Sequence, residues 1–432
     1  MSSLAYDQND KMNTVAPEDL PTGSGEQLDD IRPIPRVTIQ AFCESEPVSR
    51  ILEMTAQDRR MAKAHVKVHM GGIPAAVDFY ANAPTPNLIV VETTKTGPDL
   101  IDELGRLSEV CDAETKVLII GVLNDIVMYR DLMSRGISEY LVAPIKMADV
   151  MAVITNIYVS PDAALLGRSV AFIGAKGGNG SSTISHNIAW SISSTFETDV
   201  VLADTDMAFG TANINLDQDP AQGIAEAVYS SDRVDDILLD RLLSKCAEHL
   251  RLLAAPSTLD RSYDFEKKAF NQVIEVAQRG VPYVIVDLPQ QWNSWTREIL
   301  SAADEVVITA CPDLTNLRNT KNLVDKLIEL RPNDAKPKLI LNQVGVPKRP
   351  EINVNDFVAP LDLHPLAIIP FEPALFGTAA NNGQMISESD HKHAVAESFD
   401  KIAQILTGKA EFKQEKNKAF DIRGLFKRKV RS

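Results

Sequence analysis

From Arg36 onward the chain alternates short apolar runs rich in Val and Ile with longer amphipathic stretches. RVTIQAF, VKVHM, NLIVVET, KVLIIGV and SEYLVAP read as five strands separated by helix-length segments, which predicts a small α/β domain with a parallel sheet over residues 36–157. VSPDAALLG reads as a linker, residues 158–167. A second series follows over residues 168–407, with strands in SVAFIGA, DVVLADT, LRLLAAP, YVIVDLP, EVVITAC, KLILNQV and LAIIPFE. Runs this continuously apolar are the pattern of strands covered on both faces, as in a doubly wound, mostly parallel sheet. Residues 1–35, rich in Asp, Glu, Pro, Gly and Ser, carry too few apolar side chains to offset the entropy of ordering and read as a disordered arm. Residues 408–432 turn polar and then basic.

Composition sharpens this picture in four places. At 432 residues, two or three domains are expected. No stretch approaches the roughly 20 apolar residues that span a bilayer, and the start, MSSLAYDQND, lacks the basic flank and apolar run of a leader. Cys43, Cys111, Cys246 and Cys311 are scattered, with no CxxC and no histidine cluster, which points to reduced thiols in the cytoplasm and away from a zinc site. A net charge of −15 disfavours broad nucleic-acid binding, because that affinity comes from cations displacing counterions.

The candidate chemistry begins in AFIGAKGGNGSSTISHNIAWSI, after the first strand of the second series. Gly177, Gly178 and Gly180 lie in a tight turn before an amphipathic helix. Glycines there permit positive φ, so successive N–H groups, Asn179 and Ser181 included, can ring a phosphate at the positive end of the helix dipole. Ser182 and Thr183 add hydroxyls, one of them suited to Mg²⁺. His186 and Trp190 read as helix packing.

KGGNGSST resembles the deviant Walker A motif of the ParA/MinD superfamily, KGGxGK[ST][ST]. The resemblance implies that Lys176 is the signature lysine that reaches across a dimer to the partner's nucleotide. Ser181 stands where the ordinary phosphate-loop lysine would be, so ATP and Mg²⁺ binding is expected with weak or absent hydrolysis. DVVLADTDMAFG ends in Asp204 and Asp206. Carboxylates at the carboxyl end of a parallel strand are where a metal and an attacking water are held. By the resemblance, Asp206 positions the water, Asp204 lies beside the Mg²⁺, and Asp287 of YVIVDLP is its water-mediated partner. LILNQ and IIPFEP then imply that Asn342, Pro370 and Phe371 contact the adenine, and Pro312 and Asp313 read as loop and helix N-cap.

The first series resembles a response-regulator receiver without its chemistry. Glu44 and Glu46 occupy the acidic region loosely, Glu92 stands at the phosphoacceptor position, and Ala143 replaces the lysine before Pro144. An atypical, pseudo-receiver domain used for docking is expected.

NKAFDIRGLFKRKVRS, wound as a helix, places Ile422, Leu425, Phe426 and Val430 on one face among basic residues. Such a segment suits peripheral contact of residues 418–432 with an anionic membrane surface and is similar to the terminal targeting helix of MinD-type proteins.

A pseudo-receiver ahead of a ParA/MinD-like domain is the arrangement of the CpaE/TadZ-type proteins of tight-adherence (Flp, type IVc) pilus assembly. That resemblance implies a homodimeric localisation factor, cytoplasmic, at a cell pole and peripheral to the inner membrane, which recruits a secretion ATPase or polar scaffold proteins. Two other readings stay open: an active ATPase positioning DNA, division or flagellar components, and a signalling protein with a phosphorylatable receiver.

Overall fold

The computed structural model describes residues 31, 34, 37–112, 114–158, 166–260 and 262–408. Nearly all of the expected arm, linker and basic tail lies outside these residues, as does the proposed membrane-contacting segment 418–432. The chain divides into two compact units, the first ending at Tyr158. Among the described residues no helix is long and apolar enough to cross a membrane.

In the first unit β1 (Thr38–Cys43), β2 (His65–Met70), β3 (Leu88–Glu92), β4 (Lys116–Gly121) and β5 (Glu139–Val142) form an all-parallel sheet in the order β2-β1-β3-β4-β5. Side chains alternate across it. Ala41, Val90, Leu118 and Ile120 join one core with Leu52, Val150 and Ile154, while Phe42, Ile89, Val91 and Ile119 join the other with Ile73, Leu100 and Leu132. Ile34, expected in the disordered arm, is fully buried in the first of these cores, and its N–H donates to Arg60 O at 2.8 Å. One apolar residue among prolines has no periodicity to betray it, so the fold begins earlier than the pattern indicates.

The second unit holds β6 (Arg168–Gly174), β7 (Val200–Asp204), β8 (Ser244–Lys245), β9 (Leu250–Leu253), β10 (Tyr283–Asp287), β11 (Glu305–Ala310), β12 (Lys338–Val344) and β13 (Pro365–Pro370). Their order is β13-β12-β11-β6-β10-β7-β9-β8, parallel except for the short edge pair β8–β9. The seven strands read from the pattern are present; β8, two residues long, leaves no apolar run to read. Val170 and Phe172 face one core, and Ala171 and Ile173 face the other. Fully burying a side chain such as Phe172 stabilises by about 1.5–3 kcal/mol, which is why these runs are apolar on both sides. The helix Ser181–Thr195 buries Ile184, Ile188 and Ile192, spaced at one turn, in the core that also takes the helix Ala394–Leu406. With β7 and β9 on one side of β6–β10 and β11–β13 on the other, connections leave in opposite directions there, and the loop after β6 opens at this switch point.

Candidate functional site

The loop from Ala175 to Gly180 turns with Gly178 and Gly180 at positive φ, 83° and 80°. A Cβ on Gly180 would stand 2.6 Å from Asn342 Nδ2, so the left-handed turn and close packing both require glycine there. The helix begins at Ser181, with Gly180 as its N-cap, and Ile184 N–H is the first to return to Gly180 O, at 3.0 Å. Among the described residues the N–H groups of Gly180, Ser181, Ser182 and Thr183 donate to no protein acceptor. A helix start presents such donors; here they converge beside a tight turn, a ready cradle for a phosphate. Ser181 Oγ is buried and without a partner, an orphaned hydroxyl where the ordinary loop lysine would stand. Lys176 is exposed and makes no hydrogen bond or ion pair among the described residues.

Side chains from distant strands brace the loop. Asn179, buried, donates Nδ2 to Thr309 O at 3.1 Å and to Asn316 Oδ1 at 2.6 Å. Asn316 in turn donates Nδ2 to Asp313 Oδ2 at 2.8 Å, while Asp313 Oδ1 caps the helix Leu314–Leu330 through Asn316 N–H, as the motif predicted. Burial pushes the Asp313 carboxyl up, but the bonds from Asn316 and the charge of Lys176 outweigh it and hold it below its ordinary value. Asn319 donates to Ala175 O at 2.9 Å and Gln343 to Gly178 O at 3.0 Å. Asn342 donates Nδ2 to Asn179 O at 2.7 Å, so the amide expected at the adenine is engaged with the loop, and its Oδ1 is what remains for a base. Pro370 closes β13, and Phe371 N–H donates to Val344 O at 2.9 Å. Asn316, Asn319 and Gln343 leave no mark in the sequence, since lone amides on a helix and a strand carry no spacing signal.

The carboxylates converge from the neighbouring strands. Asp204 and Asp287 end β7 and β10 in direct register. Asp204, buried, accepts from Asp206 N–H at 3.0 Å and Ala212 N–H at 3.1 Å. Burial, and next the charge of Asp287, push its carboxyl well above the ordinary range. Burial likewise raises Asp206, which stays partly accessible and accepts from Phe209 N–H at 3.2 Å. His186 packs inside, as the helix pattern implies. It is fully buried on its helix, and its Nε2 also lies 3.3 Å from Asp287 Oδ2, in a buried trio with Asp204 and Asp287. The helix pattern put His186 on the buried face, and only the fold puts two carboxylates opposite it.

In the first unit the degenerate receiver residues meet in part. Glu92 Oε2 accepts from Glu44 N–H at 2.8 Å and Ser45 N–H at 2.9 Å, and Oε1 from Ser45 Oγ at 2.5 Å. Glu44 Oε2 accepts from Thr94 N–H and Oγ1. The Glu92 carboxylate is therefore a tie between β3 and the turn after β1. Ala143 offers only backbone, its N–H on Gly121 O at 2.8 Å, and Lys95 is ion-paired with Glu103. Incubation with acetyl phosphate is expected to leave the intact mass of the protein unchanged; a phosphoryl adduct at Glu92 would show a working receiver instead.

Over residues 167–340 the chain matches the AAA domain family. It is 23% identical over 270 residues to the septum site-determining protein MinD of Bacillus subtilis (strain 168), an alignment covering 59% of this chain and 95% of that protein. The crystal structure of a ParA family ATPase from Chlorobium tepidum TLS is 24% identical, covers 55% of this chain and 98% of its own, and has a TM-score of 0.51, which shows the shared fold. The crystal structure of the pilus assembly protein CpaE from Caulobacter crescentus CB15 is 45% identical over 29% of this chain and 97% of its own, with a TM-score of 0.29. What relates those two chains is the sequence identity.

Proposed function

We propose, from the premise that the chain belongs to the CpaE family of pilus assembly proteins, that it is an ATP-binding localisation and recruitment factor for Flp-type pilus assembly. The observation that carries the nucleotide part is the cradle of undonated N–H groups at Gly180–Thr183, set beside Asp204, Asp206 and Asp287. The residues fit ATP with Mg²⁺. The orphaned Ser181 hydroxyl and the unpartnered Asp287 Oδ1 are buried polar atoms that a phosphate–metal group would satisfy. Lys176, Gly177, Gly178, Asn179, Gly180, Ser181, Ser182 and Thr183 hold the phosphates. Ser182, Asp204 and Asp287 serve the metal, Asp287 through water. Asn342 Oδ1, Pro370 and Phe371 meet the adenine. Bound Mg²⁺ would neutralise phosphate charge, and Asp206 is the residue to position an attacking water. With serine in place of the loop lysine, turnover is slow or absent.

The working form is a homodimer. Lys176 is free to cross to a partner's nucleotide, and Phe209, Trp292 and Leu314, in the segments after β7, β10 and β11, expose large apolar surface at the same end of the sheet. At a cell pole this dimer would be a platform for a secretion ATPase or scaffold, held peripherally at the membrane through residues 418–432. The test is the molar mass of the full chain in solution. ATP–Mg²⁺ is expected to raise it from monomer to dimer, without retention on DNA at moderate salt. A mass indifferent to nucleotide would mean a vestigial loop, and salt-sensitive DNA retention would favour a DNA-positioning ATPase.

A further inference from the structure

We infer that the open edge of β2 in the first unit is a docking site for an acidic, extended segment, and that its occupant is residues 26–30 of this same chain, added as an antiparallel strand. β2 ends its sheet, with β1 as its one neighbour among the described residues. In a parallel pair, alternate residues turn both backbone groups to the same side. His65 N–H donates to Val37 O at 2.8 Å and Gly71 N–H to Cys43 O at 2.7 Å, so residues 65, 67 and 69 serve β1. The N–H and C=O groups of Val66, Val68 and Met70 therefore point away from the sheet, and among the described residues nothing pairs with them. Such an edge is a template for another strand unless something covers it.

Charge selects the occupant. Side chains alternate across a strand, so His65, Lys67 and His69 share one face of β2. The first two are exposed, and the third stacks on Phe42 with ring centroids 5.0 Å apart. Residues 59–77 carry Arg59, Arg60, Lys63 and Lys67 and no acid. Residues 1–30 carry seven acids against one lysine, and three of the seven, Glu26, Asp29 and Asp30, lie directly before Ile31. A second copy is the wrong partner, because pairing β2 with itself about a two-fold axis sets Lys67 and the histidines against their own kind. Position agrees with charge. Ile34 N–H donates to Arg60 O at 2.8 Å, in the turn that leads into β2, and Ile31 packs on the core that takes Val66 and Val68. The chain ahead of Ile31 thus starts at the amino end of β2, and a strand running back along the edge from there is antiparallel to it. Five extended residues reach about 16–18 Å, most of the length of the six-residue β2. In that strand Glu26 and Asp30 fall on one face, which suits the row of His65, Lys67 and His69.

The test reads the outward backbone groups directly and needs no nucleotide. Amide hydrogen exchange over residues 65–71 is followed in the full chain, in a full-length charge-reversed chain (Glu26→Lys, Asp29→Lys, Asp30→Lys) and in a chain beginning at Ile31. Wild type is expected to exchange Val66, Val68 and Met70 at least about tenfold more slowly than either variant. The difference should hold at every protein concentration and shrink in about 1 M salt, where exposed charges are screened. Lys67→Glu is expected to lose the protection, and combining it with the charge-reversed segment to restore it, a rescue that a general loosening of the unit would not give. Equal exchange in wild type and both variants would overturn the inference. So would protection that survives removal of residues 1–30 and grows with concentration, which would assign the edge to a second copy. Protection lost on truncation but kept in the charge-reversed chain would overturn the choice of residues 26–30 as the occupant.

Discussion

Lys176→Ala is expected to abolish the rise in molar mass that ATP–Mg²⁺ produces while leaving the unfolding temperature of the free protein unchanged. The two halves have different causes. Lys176 is exposed, and among the described residues its ammonium makes no ion pair or hydrogen bond, so truncation takes little from the folded monomer. In the dimer the same ammonium would be desolvated against a phosphate, and removing one member of a buried charge pair across an interface typically costs 2–5 kcal/mol, or about 30-fold or more in the association constant. Sedimentation or light scattering at a concentration where wild type is fully dimeric should therefore find the variant monomeric. Lys176→Arg separates charge from geometry: partial dimerisation there would say that charge alone suffices. A variant that dimerises like wild type would mean the lysine does not cross, and that pairing, if it occurs, is made by other surfaces. Because the residue is remote from the core, misfolding offers no alternative explanation of a loss.

The site was legible in the chain to the extent that its parts are local. Loop glycines, hydroxyls and the following helix lie within one short segment, and a strand ending in Asp announces a carboxylate at the sheet's end. What holds the loop still was not legible. Asn316 and Asn319 reach it across 137 and 144 residues of chain, and Gln343 across 165. Their residue type alone says nothing, since an Asn on a helix usually faces water. The neighbours of His186 were hidden for a related reason: a buried position on an amphipathic helix predicts packing, which it does, and the carboxylates beside it become neighbours only when β7 and β10 pair in register. Glu92 shows the converse. Its identity at a strand end was plain, but only the fold reveals that its carboxylate is spent on Glu44 and Ser45. Local pattern gives the elements, and long-range polar contacts give the roles.

Asn316→Leu should be among the most damaging single changes in the second unit, although it touches no expected ligand. The side chain is 1% exposed and links two others, accepting from Asn179 at 2.6 Å and donating to Asp313 at 2.8 Å. Leucine has the same four side-chain heavy atoms, though it is bulkier, and makes neither bond. Asn179 then loses one of its two acceptors in a buried position, and the Asp313 carboxylate loses a donor, with the backbone N–H of residue 316 left to cap the helix. Stranding a buried amide costs about 1–3 kcal/mol, and a hydrogen bond to a charged group adds about 1.5–3 kcal/mol. For a unit of this size each kcal/mol lowers Tm by roughly 2–4 °C, so a fall of about 5–20 °C is expected, read by calorimetry as a shift of the second unit's transition. The loop should loosen with it, because Asn179 carries both this anchor and the carbonyl that Asn342 holds. ATP affinity of the folded variant, measured well below its Tm, is therefore expected to fall at least tenfold. A large drop in Tm with unchanged ATP affinity would separate the two functions of the network, making Asn316 a fold residue only and leaving the loop's shape to the glycines and Asn342.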